Sequence, residues 1–389
     1  MDDRVHPGKI FQLSSMKSIY YFLTFFIFIF FLSACKKGSD SGSSDSQTLK
    51  LIAGDFYFNE GMNTLCQTSD NGFAVAALIG GYRIYIAKTS STFDVLWNKT
   101  YGSCINDVGG IVESSDKGFV IVSNCDDTTS YPYKLYIDLI KLNPSGDLLW
   151  EKKYRFNYLY ERGFALRETP DKGFIVITVH NNLIDLFKVN SAGDSIWSQN
   201  YSGYIISPGE GTDIQVTSDN GFIATGFGVI LKTDSLGNKQ WGHTLSEGLT
   251  NVRVLPDGSF VAVGNKSVFN GNTGNSLDLV LMKFDPSGNQ LWEKLYDINN
   301  YEWSANLCLT PEGGFIFTGM TEIHPGDIYE TAIIKTDDNG NKLAMKIINM
   351  GEMAEPRGLL WDNGSYVYYG GTTLSTGIAY YLLFMRFNL

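Results

Sequence analysis

The sequence predicts an all-β chain folded as a seven-bladed β-propeller of four-stranded antiparallel blades. Three observations carry that expectation. A turn followed by an aromatic residue recurs along the chain, a second box ending in tryptophan alternates with it, and the interval between copies is that of one blade.

The turn comes first in each period. "SDNGF" closes at Phe73 and returns as "SDKGF" at Phe119, "PDKGF" at Phe174 and "SDNGF" at Phe222. It continues as "PDGSF" at Phe260, "PEGGF" at Phe315 and, with one inserted residue, "DNGSY" at Tyr366. Asp, Asn, Pro and Gly between alternating apolar runs are hairpin signals. The fifth period shows the whole unit: "NVRVL", the "PDGS" turn, "FVAVG", then "DLVLMKF", the "DPSG" turn and "QLWEKLY". Outside the N-terminal apolar run no segment carries a convincing 3.6-residue stripe.

The second box opens at Lys88, Lys141, Lys188, Lys232 and Lys283 and closes at Trp97, Trp150, Trp197, Trp241 and Trp292. A sixth copy, "KTDDNGNKLA" from Lys335, has lost its tryptophan, and the first copy, "KTSSTFDVLW", has lost its glycine. Asn143, Asn190, Asp234, Asp285 and Asp337 can accept hydrogen bonds from turn amides. Gly146, Gly193, Gly237, Gly288 and Gly340 can take positive φ at little cost. The tryptophan then stands in the fourth strand, placed to pack a large ring between blades. A group repeated once per blade reads as structural.

The last period supplies a check. It ends in "LLFMRFNL", which matches the third strand of the fifth period and leaves nothing for a fourth. "TLKLIAGDF" (Thr48 to Phe56) precedes the first turn at the distance where "LLWEKKYRF" precedes the third. The N-terminal strand is therefore expected to complete the last blade and close the ring, leaving only short, protected edges.

Ahead of the propeller, residues 1–34 read as a signal peptide with Met16 as the true start. The apolar run Ile19 to Leu32 is too short to span a bilayer and follows a basic residue. Residues 35–47 read as Cys35, whose lipidation is implied by the resemblance of "LSAC" (Leu32 to Cys35) to the bacterial lipobox, followed by a flexible Gly/Ser linker, and residues 48–389 as the propeller. Several acyl chains on Cys35 would make membrane attachment stable. The formal net charge of −11 argues against a nucleic-acid partner. Four further cysteines are too few for a disulfide framework. Cys104 and Cys125 flank the first hairpin of the second blade and can meet near its open end, whereas Cys66 and Cys308 read as small core residues.

Two resemblances follow from these residues. "LSAC", Leu32 to Cys35, resembles the bacterial lipobox, whose cysteine is diacylated and becomes the first residue. The tryptophan box resembles the docking motif of quinoprotein-type propellers, which interlocks neighbouring blades, with an aspartate-to-glycine loop one residue shorter. The sialidase Asp-box is similar too, but more tightly spaced. From about Thr48 to Leu389 the chain resembles the repeat propellers found as exported lipoproteins in Bacteroidota-like bacteria. It is also similar to the propeller lipoprotein of the outer-membrane barrel assembly machinery, which implies a scaffold.

Function is expected on the face opposite the tight turns, where loops vary in length. Its loop aromatics are Tyr131, Tyr133, Tyr158, Tyr160, Tyr301 and Trp303, suited to protein or glycan contacts. A second pattern is a carboxylate near the start of each innermost strand: Glu60, Asp107, Glu161, Glu210, Glu247, Glu302 and Glu355. Such a ring at the channel mouth would attract a cation or basic peptide; the bland alternative is that each acid caps backbone amides. No catalytic motif is present, and His180, His243 and His324 fall in three blades without partners in sequence. The expectation is a monomeric binding or scaffolding module of the cell envelope, lipid-anchored through Cys35, probing protein or glycan partners. It is expected to have no catalysis, cofactor or metal of its own. The alternative is an envelope glycan hydrolase or lyase using carboxylates at the channel mouth.

Overall fold

The computed structural model describes residues 48–53, 56–57, 64–79, 83–102, 105–127, 134–156, 161–205, 213–269, 275–299, 302–324, 328–348, 353–362, 364–373, 380–387 and 389. The chain divides into two units, Met1–Asp45 and Ser46–Leu389, and the described residues all belong to the second.

Strand β1 is Thr48–Ala53 and β2 is the short Phe56–Tyr57. The first period holds β3 (Leu65–Gln67), β4 (Phe73–Ile79), β5 (Arg83–Thr89) and β6 (Val95–Tyr101). The second holds β7 (Ile105–Glu113), β8 (Phe119–Asp127), β9 (Lys134–Leu142) and β10 (Leu148–Tyr154). The third holds β11 (Glu161–Glu168), β12 (Phe174–His180), β13 (Leu183–Val189) and β14 (Ser195–Ile205). Then come β15 (Asp213–Val216), β16 (Phe222–Thr233), β17 (Lys239–Val254), β18 (Phe260–Phe269), β19 (Asn275–Phe284) and β20 (Gln290–Tyr296). The remainder is β21 (Glu302–Leu309), β22 (Phe315–His324), β23 (Ile328–Thr336), β24 (Lys342–Ile348), β25 (Met353–Asp362), β26 (Ser365–Thr373) and β27 (Tyr380–Phe387). With one exception, a single-residue parallel contact between Tyr329 and Met353, the ladders are antiparallel. The chain is an all-β propeller of four-stranded antiparallel blades.

The described strands form five hydrogen-bonded sheets and count as six blades, where the repeats predict seven. The reason lies in the short connections of the fourth period. In the fourth period β16 holds both the second and the third strand: it folds back at Gly228 (φ 84) with no loop between them, and Gly221 meets the Thr233 carbonyl as Gly72 meets that of Thr89. After it, β17 passes straight from an outer position into an inner one, so that β15 to β20 form a single sheet. The N-terminal strand lies where the sequence places it: β1 pairs with β27 from Thr48 opposite Arg386 to Ala53 opposite Tyr381.

The anchor aromatics carry the core. Phe73, Phe119, Phe174, Phe222, Phe260, Phe315 and Tyr366 are each 2% exposed or less, so every turn drives one ring into the packing between sheets. At about 25 cal/mol per Å² of apolar surface, each such ring contributes on the order of 2–3 kcal/mol before conformational entropy is subtracted. The aspartate of the turn has a second task. Lys141 reaches Asp116 at 2.7 Å, Lys188 reaches Asp171 at 2.9 Å and Lys232 reaches Asp219 at 2.8 Å, and Lys88 pairs with Asp70 in the same way. These four lysines are thereby drawn onto the turns of their own blades, and Lys141, Lys188 and Lys232 are buried there.

The boxes join one period to the next. A Cβ on Gly146 would lie 2.7 Å from the ring of Trp97, and one on Gly237 would lie 2.9 Å from that of Trp197. Trp150 covers Gly193, Trp241 covers Gly288 and Trp292 covers Gly340 in the same manner. Gly237 has φ +81, so a side chain there would be strained as well as obstructed. Four residues after the tryptophan, a tyrosine adds a second tie: Tyr101, Tyr201 and Tyr296 donate to the carbonyls of Gly146, Gly237 and Gly340 at 2.5, 2.6 and 2.6 Å. Tyr154 does the same to Gly193. The fourth period has Leu245 at that position, and there the Trp241 indole N–H donates to the Pro286 carbonyl instead, at 3.2 Å.

Both irregular boxes now have a cause. The outer neighbour of β27 is β1, so no turn joins that pair and no glycine stands there for a sixth tryptophan to cover; Ala344 takes its place. By the same geometry, no tryptophan arrives over the first box. Phe93 occupies the glycine position there, fully buried at φ 65, and stacks on Phe384 with centroids 5.2 Å apart. The Arg386 guanidinium lies over its ring, 5.6 Å from the centroid.

Candidate functional site

The innermost strands begin on the face opposite the tight turns, and three of the seven acids expected there have described side chains. All three are buried, and each has a different partnership. Asp107, 2% exposed, accepts from the Val108 amide at 2.8 Å and pairs with Arg162 at 3.3 Å. Glu247 lies 2.9 Å from Lys266 and accepts from Ser246 at 2.8 Å. Burial pushes its carboxyl upward, but the bonds from Lys266 and Ser246 outweigh burial and hold it below its ordinary value.

Glu302 differs from both. It is fully buried, and its Oε1 accepts from the Asn299 amide at 2.6 Å and from the Thr321 hydroxyl at 3.3 Å. Its Oε2 is buried with no hydrogen-bond partner among the described residues. Desolvation, and then repulsion from Asp278 and Asp297, push its carboxyl up to about 7. Oxygens of Asp278, Asp297 and Glu302 lie within 4.8 Å of one another. Asp278 stands at the start of β19 and Asp297 just past the end of β20, facing each other one residue beyond the Leu279–Tyr296 pair.

Of the other four acids, Glu161 opens β11 opposite His180 and Glu355 lies in β25 opposite Gly371. Glu60 and Glu210 lie outside the described residues, as do Tyr131, Tyr133, Tyr158, Tyr160, Tyr301, Cys35 and the signal segment. Trp303 is 37% exposed, next to Glu302 in β21. Among the described side chains, the acids close enough to act together are one ring member, Glu302, with Asp278 and Asp297 from the β19–β20 hairpin. Asp278 and Asp297 escape a sequence reading because neither belongs to a once-per-period pattern; their signal is a carboxylate at each end of the β19–β20 hairpin.

His180 is a buried, partnered histidine. It pairs with Asp185, and Asn200 donates to Asp185 at 2.7 Å; burial holds the imidazole below its ordinary value. Cys125 is buried and disulfide-bonded, and Ile105 faces it across the β7–β8 ladder; Cys104 itself lies outside the described residues. Cys66 and Cys308 are free, and burial pushes the Cys66 thiol up to about 12, which makes it a poor nucleophile.

No family model matches the chain, and no curated protein matches it. Among solved structures it is similar to a streptogramin B lyase structure, at 14% identity over 88% of this chain and 98% of that one, with a TM-score of 0.58. A protein from Lactobacillus plantarum is similar at 15% identity, over 89% of this chain and all of the other, with a TM-score of 0.53. The β-propeller domain of the Trilobed protease from Pyrococcus furiosus, which has an open velcro topology, is similar at 10% identity over 86% and 94%, with a TM-score of 0.51. At such identities the likeness shows the fold alone.

Proposed function

We propose that the protein is an exported lipoprotein, anchored through Cys35, whose propeller binds or scaffolds a protein or glycan of the cell envelope and has no catalysis of its own. One observation carries this reading. The recurring lysines, tryptophans and tyrosines of the turn face tie strands and periods to one another, which leaves recognition to the irregular loops opposite. The ring is proposed to be sevenfold in construction. Support comes from the contacts of the first strands, which run β3, β7, β11, β15, the second half of β17, β21, β25 and back to β3.

The test is cross-linking in native membranes, read by mass spectrometry. Partner cross-links are expected on the loop face, and Cys35→Ala is expected to release the protein into the soluble fraction. Cross-links confined to the tight-turn face, or membrane retention without Cys35, would count against it. The glycan hydrolase or lyase reading rests on the raised carboxyl of Glu302. Paired catalytic carboxylates in hydrolases stand about 5–10 Å apart to admit a nucleophile or water, whereas the Glu302 group is drawn within 4.8 Å. Turnover of a glycan panel, lost in Glu302→Gln, would favour that second reading.

A further inference from the structure

Burying a carboxylate oxygen without a partner is costly, and placing two more carboxylates beside it is costlier still. Asp107 and Glu247 solve that problem with a basic side chain. At Glu302 no lysine or arginine among the described residues reaches any of the three acids. The lysine opposite Asp278 in the ladder, Lys266, is held at 2.9 Å by Glu247 and at 2.5 Å by Glu293. The remaining bonds hold the acids in place rather than neutralise them. Ser276 donates to Asp278 at 2.9 Å, and Asn299 donates to Thr321 at 2.8 Å while Thr321 donates to Glu302.

We propose that Asp278, Asp297 and Glu302 form a site for a hard divalent cation, calcium in particular, which ties the fifth period to the sixth on the loop face. The donor set is all oxygen, which hard cations prefer, and no sulfur or imidazole belongs to it. Calcium–oxygen distances of about 2.3–2.6 Å allow ligand oxygens up to about 5 Å apart across the ion, which the 4.8 Å cluster meets. The unpartnered Oε2 of Glu302 supplies the buried ligand and exposed Asp297 faces the solvent from which the ion enters. Affinity is expected in the range of extracellular calcium modules, with Kd on the order of 10⁻⁴–10⁻³ M.

Protonation supplies the alternative. A folded value of about 7 against an ordinary 4.5 means that Glu302 favours the fold below pH 4.5 and that this contribution is lost as pH rises through 7. If a proton alone fills the site, calcium will do nothing. The experiment measures Tm on the full chain at pH 8 with EDTA or with millimolar calcium, for wild type, Glu302→Gln and Asp278→Asn. Terbium luminescence sensitised by Trp303 supplies a second readout. Wild type should gain Tm with calcium and show terbium emission that calcium displaces. Both variants should lose that gain and bind roughly tenfold or more weakly. In EDTA Glu302→Gln should melt at or above wild type, because it removes like-charge repulsion and shows that the variant folds. No calcium-dependent gain in wild type, or an equal gain in all three proteins, would overturn the proposal.

Discussion

The seams between boxes and the seam that closes the ring do the same work with opposite parts. Between boxes, a large ring from one period lies on a glycine of the next. At the closing seam the large ring belongs to the receiving box itself, as Phe93, and the incoming strand contributes Phe384 and Arg386. What must be kept is the filled volume rather than the residue that fills it. The cost of the second solution is backbone strain: a non-glycine residue at positive φ costs about 1–2 kcal/mol, against which stands the burial of a whole phenylalanine ring.

The largest test removes the closing seam. A chain lacking residues 48–56 should lose its cooperative thermal transition by circular dichroism, because β27 loses its outer neighbour; an unchanged melt would mean that β1 is dispensable. Next come the rings. Phe93→Gly should cost roughly 1–4 kcal/mol, about 3–5 for the lost ring less 1–2 for relieved strain. Trp197→Ala, from a half-buried position with no strain to relieve, should cost about 3 kcal/mol. Urea denaturation compares the two, and a Phe93→Gly variant as stable as wild type would show that the closing seam does not depend on its ring. The smallest effect concerns acid. Lys232 and Thr217 outweigh burial at Asp219 and hold its carboxyl down at about 2, below an ordinary 3.8. Its stabilisation is therefore present above pH 4 and lost as pH falls towards 2. Since the carboxylate is about half exposed, the effect should be small: Asp219→Asn should lower Tm slightly at pH 6 and converge on wild type near pH 2.

Much of the fold is legible in the sequence because repetition separates what a blade needs from what one blade happens to have. The anchor aromatics and the boxes are visible in that way. The fourth period is not, since the absence of a loop inside β16 depends on how a short hairpin pairs, which spacing alone does not determine. The tyrosine four residues after four of the five box tryptophans and the lysine that reaches the turn aspartate do recur in the sequence. Their partners lie in another strand, so only the folded register identifies them. The site is less legible still. Glu302 stands out from Asp107 and Glu247 only because Arg162 and Lys266 answer the other two, and nothing in the acids' own spacing encodes that.

The pairing of β1 with β27 also sets an order of events. Strand β1 is the first of the propeller to be synthesised and among the last to find its neighbour, since Thr48 must wait for Arg386. Contacts between such distant segments form slowly, because the loop they close is nearly the whole domain. Each earlier blade can assemble from local hairpins while the chain emerges. The ring becomes a ring only in one final, long-range step, and until then β1 is an unpaired edge that a second chain could capture.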